Sequence, residues 1–93
     1  MMFTKRLREA VKRGEVTCSV RIWRRARVKA GGRYQTGFGR IEVTSIREIS
    51  LHDITPELAR RSGFSGLVDL LKVAKHGPGE RVFLVEFKFL GED

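Results

Sequence analysis

The sequence predicts a small α+β domain. Three observations carry that expectation: apolar residues at helical spacing near the N-terminus and again between residues 55 and 77, strict alternation over residues 16–23, and a second alternating run over 81–90. With 93 residues, 41% of them hydrophobic, the chain can bury one modest core and is too short for two, so residues 1–93 read as a single domain.

The elements follow in order. Thr4 is placed to cap a first helix whose apolar positions are Leu7, Ala10 and Val11; Lys12 and Arg13 suit the negative end of its dipole, and Gly14 supplies a stop. From Val16 to Trp23, Val16, Cys18, Val20 and Ile22 point to the expected core, whereas Thr17, Ser19, Arg21 and Trp23 point away from it. Residues 24–40, RRARVKAGGRYQTGFGR, contain six Lys or Arg and four glycines without periodicity, which predicts a loop and turn system. The β-branched run from Arg40 to Ile49 reads as a strand, but Ile41 and Val43 share one parity and Ile46 has the other. A bulge near Thr44-Ser45 reconciles them.

Thr55-Pro56-Glu57 combines an N-cap, a first-turn proline and an early acid, and the helix it starts should end at Gly63. Ser65 begins a second helix with Leu67, Leu70, Leu71 and Ala74 on one face and Gly77-Pro78 as its stop. Arg81 to Leu90 is the clearest strand, with Phe83, Val85, Phe87 and Phe89 as its core face.

Charge is the strongest functional signal. Nineteen Lys and Arg against eleven acids give a formal net charge of +8, which points to a polyanionic partner. Residues 1–48 hold thirteen cations and four acids, and residues 49–93 six and seven, so the first half makes the field. The first helix contributes Lys5, Arg6, Arg8, Lys12 and Arg13. Basic side chains for phosphates, glycine-rich backbone, and Trp23, Tyr34 or Phe38 for stacking are the elements of single-stranded nucleic-acid recognition.

Several other chemistries find no support. The glycines are not followed by Gly-Lys-Ser or Gly-Lys-Thr, so there is no phosphate-cradling P-loop. Thr36-Gly37-Phe38-Gly39-Arg40-Ile41-Glu42-Val43 is similar to the aromatic strand of an RNA recognition motif, but Arg40 and Val43 stand where that strand needs rings. One cysteine and the separated His52 and His76 do not form a metal-ligand set, and no cofactor is expected. The lone Cys18 excludes an internal disulfide and fits a reducing, cytoplasmic compartment; no apolar run is long enough to span a membrane.

A short helix, Gly14 followed by a strand through Arg21, the Lys29-Ala30-Gly31-Gly32-Arg33-Tyr34 turn, the Gly39-Arg40-Ile41-Glu42-Val43 strand and the terminal Phe83-Leu84-Val85-Glu86-Phe87 strand occur in the order of the ASCH domain. The chain resembles that PUA-like family, and especially its short bacterial members related to acetylcytidine amidohydrolases. The resemblance implies a small mixed β-barrel with an N-terminal helix and two helices before the last strand, and it implies RNA as the partner. The family signature is G-x-K-x-x-x-x-R; Gly14 and Arg21 match it, but Val16 stands at the lysine position. Ser19 matches the hydroxyl position, while the position of the helix-borne glutamate falls at or near Ser62.

A serine without the lysine and carboxylate lacks the groups that would activate it, each worth on the order of 10²-fold or more. The expectation is therefore a nucleic-acid-binding module using Arg21, Trp23, Arg24, Arg25, Arg27, Lys29, Arg33 and Tyr34. The alternative is an RNA- or modified-nucleoside-directed hydrolase, with Ser19, Thr17 and Arg21 lining its pocket.

Overall fold

The computed structural model describes residues 3, 5–74 and 81–91. Thr4, His76, the Gly77-Pro78 stop and the side chain of Ala74 lie outside the described residues. The chain is α+β, built on one four-stranded sheet. A 3-10 turn over Lys5–Leu7 runs into α1 (Arg8–Lys12), followed by β1 (Cys18–Trp23), β2 (Arg33–Gln35) and β3 (Arg40–Ile49). A second 3-10 turn (Leu51–Asp53), α2 (Pro56–Arg61) and α3 (Leu67–Ala74) lead to β4 (Arg81–Gly91).

The strand order is β1-β4-β3-β2, so the last strand lies between the first and the third. Each of the three pairings is antiparallel, not mixed, and the sheet is open, with β1 and β2 at its edges. Its central strand explains the order. Val82, Phe83, Leu84, Val85 and Phe87 are all buried, so β4 needs cover on both faces and not only on the aromatic face the alternation suggested. Purely apolar strands of this kind belong in sheet interiors.

One face carries Cys18, Val20, Ile22, Val82 and Leu84, packed against Ile54, Leu58, Ala59 and Leu70 from the α2–α3 region. On the other face, Phe3, Leu7, Val11 and Val16 pack with Ile41 and Phe87, beside a separate group of Trp23, Val28, Val43, Phe83 and Val85. Val16 therefore does not continue the Cys18 row: β1 begins two residues later than the alternation suggested, and Val16 serves the N-terminal cluster.

The expected bulge is present. Val43 pairs with Phe87 and Ser45 with Glu86, leaving Thr44 as the extra residue, and this restores Ile46 to the same face as Ile41 and Val43. The helix starts follow local rules as well. The Thr55 side chain accepts from Leu58 N at 3.1 Å with Pro56 in the first turn, and Ser50 and Asp53 form a reciprocal capping box around the second 3-10 turn.

Two contacts join the N-terminal segment to the helices. Arg6 forms an ion pair with Asp69, and its guanidinium lies 5.2 Å from the Phe64 ring centre. Gly63, at φ +93°, sits against the same segment: a Cβ there would lie 2.5 Å from Leu7 Cδ2 and 3.0 Å from Val16 Cγ2. Gly63→Ala is expected to destabilise by at least about 1–2 kcal/mol, the backbone cost of a left-handed L-residue, before the clash is added. Urea unfolding measures this directly.

The ion pair has a defined pH signature. The hydrogen bond from Arg6 holds the half-buried Asp69 carboxyl below its usual range. A carboxylate with a depressed folded-state pKa stabilises above its unfolded pKa and loses that contribution as pH falls through the folded value. The Tm difference between wild type and Asp69→Asn should be constant near neutrality and vanish in the strongly acidic range.

Candidate nucleic-acid interface

The candidate surface is built where β1 leaves the sheet. After Trp23 the chain turns away, and Arg24, Arg25, Ala26 and Arg27 are exposed before Val28 returns to the core. Val28 acts as an anchor: it packs with Trp23, Val43, Phe83 and Val85. The following turn is fastened by backbone. Gly31 N donates to Val43 O at 2.7 Å, Val43 N donates to Gly32 O at 2.9 Å, and Gly32 N donates to Lys29 O at 3.0 Å. The phenol of Tyr34 accepts from Lys29 N at 2.9 Å. A stretch that reads as free loop in sequence is thus tied to β3, and its last residues form the short strand β2.

The cations before this turn lie in solvent. Arg24, Arg25, Arg27 and Lys29 are exposed, and none makes an ion pair among the described residues. Arg27 places its guanidinium 6.0 Å from the Trp23 ring centre, a position that leaves its hydrogen-bond donors available. Arg33 differs, because its Nε donates to Glu42 Oε1 at 3.2 Å, and the same carboxylate meets Lys88 Nζ at 3.7 Å. A phosphate would have to compete with Glu42 for Arg33. Farther along the β3–β4 pair, Glu48 takes both arms of Arg81, at 2.7 and 3.1 Å.

The rings are placed otherwise than a stacking role requires. Trp23 is only 7% exposed and lies tilted against Phe83 with centroids 5.8 Å apart, so it closes the core at the end of β1. Tyr34 is partly buried beneath the loop; a Cβ on Gly32 would fall 2.5 Å from its oxygen. Phe38 packs against Phe3 and Phe89, with Arg8 and Lys12 at 5.9 and 6.0 Å from its centre. In this structure Trp23 and Tyr34 pack against the scaffold, and neither presents an exposed ring. The alternation in β1 hid this because both of its faces are covered.

Ser19 and Arg21 do come together, on the aromatic face. Arg21 Nε donates to Ser19 Oγ at 2.8 Å, and its guanidinium carbon sits 5.1 Å from the Phe3 ring centre. Burial pushes the Arg21 pKa down to about 10, so the side chain remains a cation at neutral pH, held back from the exposed row. Thr17 is exposed at the start of this strand, and its carbonyl accepts from Phe87 N at 2.9 Å.

Ser62 is elsewhere. It is buried beside Cys18, with Sγ and Oγ 3.6 Å apart, and its hydroxyl donates to Leu58 O at 2.9 Å. Cys18 and Ser19 face opposite sides of β1, so Ser62 and Ser19 are separated by the sheet. They cannot act on one substrate atom. Arg8, one of the first-helix cations, is half-buried rather than on an exposed face: its Nε is buried with no hydrogen-bond partner among the described residues, and its guanidinium lies 5.9 Å from the Phe38 ring centre.

No family model, curated protein or solved structure matches this chain.

The geometry separates packing from binding by stability. Trp23→Ala is expected to cost about 3–5 kcal/mol, as for other large aromatic truncations in a core. Arg24→Ala should change stability by no more than about 0.5 kcal/mol, as exposed substitutions usually do. Denaturant midpoints for the two variants check both values.

Proposed function

We propose that this protein binds nucleic acid, with RNA as the first candidate, by placing the cations of residues 24–29 on the phosphate backbone. The observation that carries the reading is the exposed run of Arg24, Arg25, Arg27 and Lys29, without acidic partners among the described residues, on a loop anchored by Val28 and tied to β3 at Gly31 and Gly32. Arginine forks and lysine ammonium groups are suited to phosphate oxygens, and a fixed loop presents them without a large ordering cost. Arg33 joins them only by releasing Glu42.

The order of the elements supports extending the ASCH resemblance to this chain, with a PUA-like barrel as the proposed ancestral architecture. The buried, unpaired Cys18 supports a reducing, cytoplasmic setting. Binding has more support than hydrolysis. The nearest polar partner of Ser19 is Arg21, a group that donates hydrogen bonds and does not accept a proton at neutral pH, and Ser62 lies across the sheet.

The test is the salt dependence of affinity for a labelled RNA. Each phosphate contact contributes about 0.7–0.9 to the slope of log affinity against log salt, so Arg24→Ala/Arg25→Ala/Lys29→Ala should flatten it by about 2–3. The thermal midpoint should remain near that of wild type. An unchanged slope would falsify the assignment.

A further inference from the structure

We infer that the polyanion this surface fits is a nucleic-acid duplex, gripped along its phosphate backbone without base readout. This inference rests on the nucleic-acid reading above and narrows it. Proteins that hold single strands combine a basic groove with exposed rings on which unpaired bases stack. Here the second component is absent from the surface.

The chain has eight aromatic side chains, six Phe, one Trp and one Tyr, all of them among the described residues, and none is exposed. Their positions show why. Trp23 lies on Phe83, Phe3 on Phe87, and Phe38 on Phe89. Phe64 carries the Arg6 guanidinium, and Tyr34 lies under Gly32 with its oxygen engaged by Lys29 N. Uncovering Trp23 or Tyr34 would dismantle the contacts that fasten the basic loop. The rings nearest the cations therefore serve the scaffold and cannot also receive bases.

What remains is exposed charge on a loop anchored to the sheet at its ends and at Val28. The backbone bonds from Gly31 N to Val43 O and from Val43 N to Gly32 O hold the turn after Val28, so the segment carrying the exposed cations is anchored at Trp23, at Val28 and at Gly31. A flexible single strand needs a surface that follows its backbone, whereas a duplex presents a regular, dense array of phosphates, about one charge per 1.7 Å of axis. A short run of exposed cations with no exposed ring beside it matches the second. The exposed apolar residues, Leu51, Val68, Leu71 and Leu90, lie outside the 24–33 loop and add no base-contacting platform to it.

The chain's single tryptophan makes the test direct, since intrinsic indole fluorescence reports on Trp23 alone. Fluorescence anisotropy would be measured for the whole protein with labelled 20-base-pair duplexes of RNA and of DNA, and with the matching single strands. The expected result is tighter binding to a duplex of either sugar. If all four exposed cations engage, the duplex salt slope should approach about −3.6. Permuting the base sequence should leave affinity nearly unchanged, and Trp23 emission should not be quenched.

Preference for the single strand, together with quenching of Trp23, would overturn the duplex inference while leaving the phosphate-binding reading intact. An exposed ring would favour single strands by about fivefold or more for each stacked base. Failure of every probe to bind with a salt-dependent affinity would overturn the inference and the underlying reading together.

Discussion

Everything in this fold depends on β4 being buried on both sides. Val82 and Leu84 project to the α2–α3 face, and Phe83, Val85 and Phe87 project to the other. A strand of this composition cannot remain at an edge without exposing a large apolar area, and burial of each such side chain is worth about 1.5–3 kcal/mol. It therefore enters between β1 and β3 although it follows both in sequence. The helices must then cover one face, leaving the N-terminal segment and the residue 24–32 loop to cover the other. The shape of the basic surface follows from that division: Val28 is drawn to the core, and the arginines before it are left in solvent.

Much of the fold can be read in the chain because many of its signals are local. The Thr55-Pro56 helix start needs only its own side chain and backbone, and the parity break between Val43 and Ile46 already identifies Thr44 as a bulge. What could not be read was tertiary. Alternation in β1 implies one wet face, but Trp23 is buried because Phe83 and Val28 meet it from distant parts of the sequence. β2 was missed for a related reason. Three residues carry too little pattern to announce a strand, and Arg33–Gln35 pairs because β3 supplies the partner.

The candidate site divides along the same line. Clustered charge is a one-dimensional property, so Arg24, Arg25, Arg27 and Lys29 were visible without coordinates. Which of the neighbouring cations stays free is not. Arg33 is drawn to Glu42 by the β2–β3 register, and Arg21 turns back toward Ser19 and Phe3. Ser19 and the helix position Ser62 are kept apart for an equally simple reason. Cys18 and Ser19 are neighbours in sequence but lie on opposite faces, so a residue packed on one is remote from the other.

The backbone bonds that join Gly31 and Gly32 to Val43 also bear on the kinetics of an encounter. The Gly31–Gly32 end of this loop is fixed when the protein folds. Under the proposed role, association with a polyanion would need little ordering at that end of the loop, and its rate would be set by diffusion and by the electrostatic attraction of a chain carrying +8. A partner captured in this way is held by contacts that ions can replace one at a time. Fast arrival and fast, salt-accelerated departure are the natural pairing for such a surface, and they suit repeated sampling of many equivalent positions better than long residence at one.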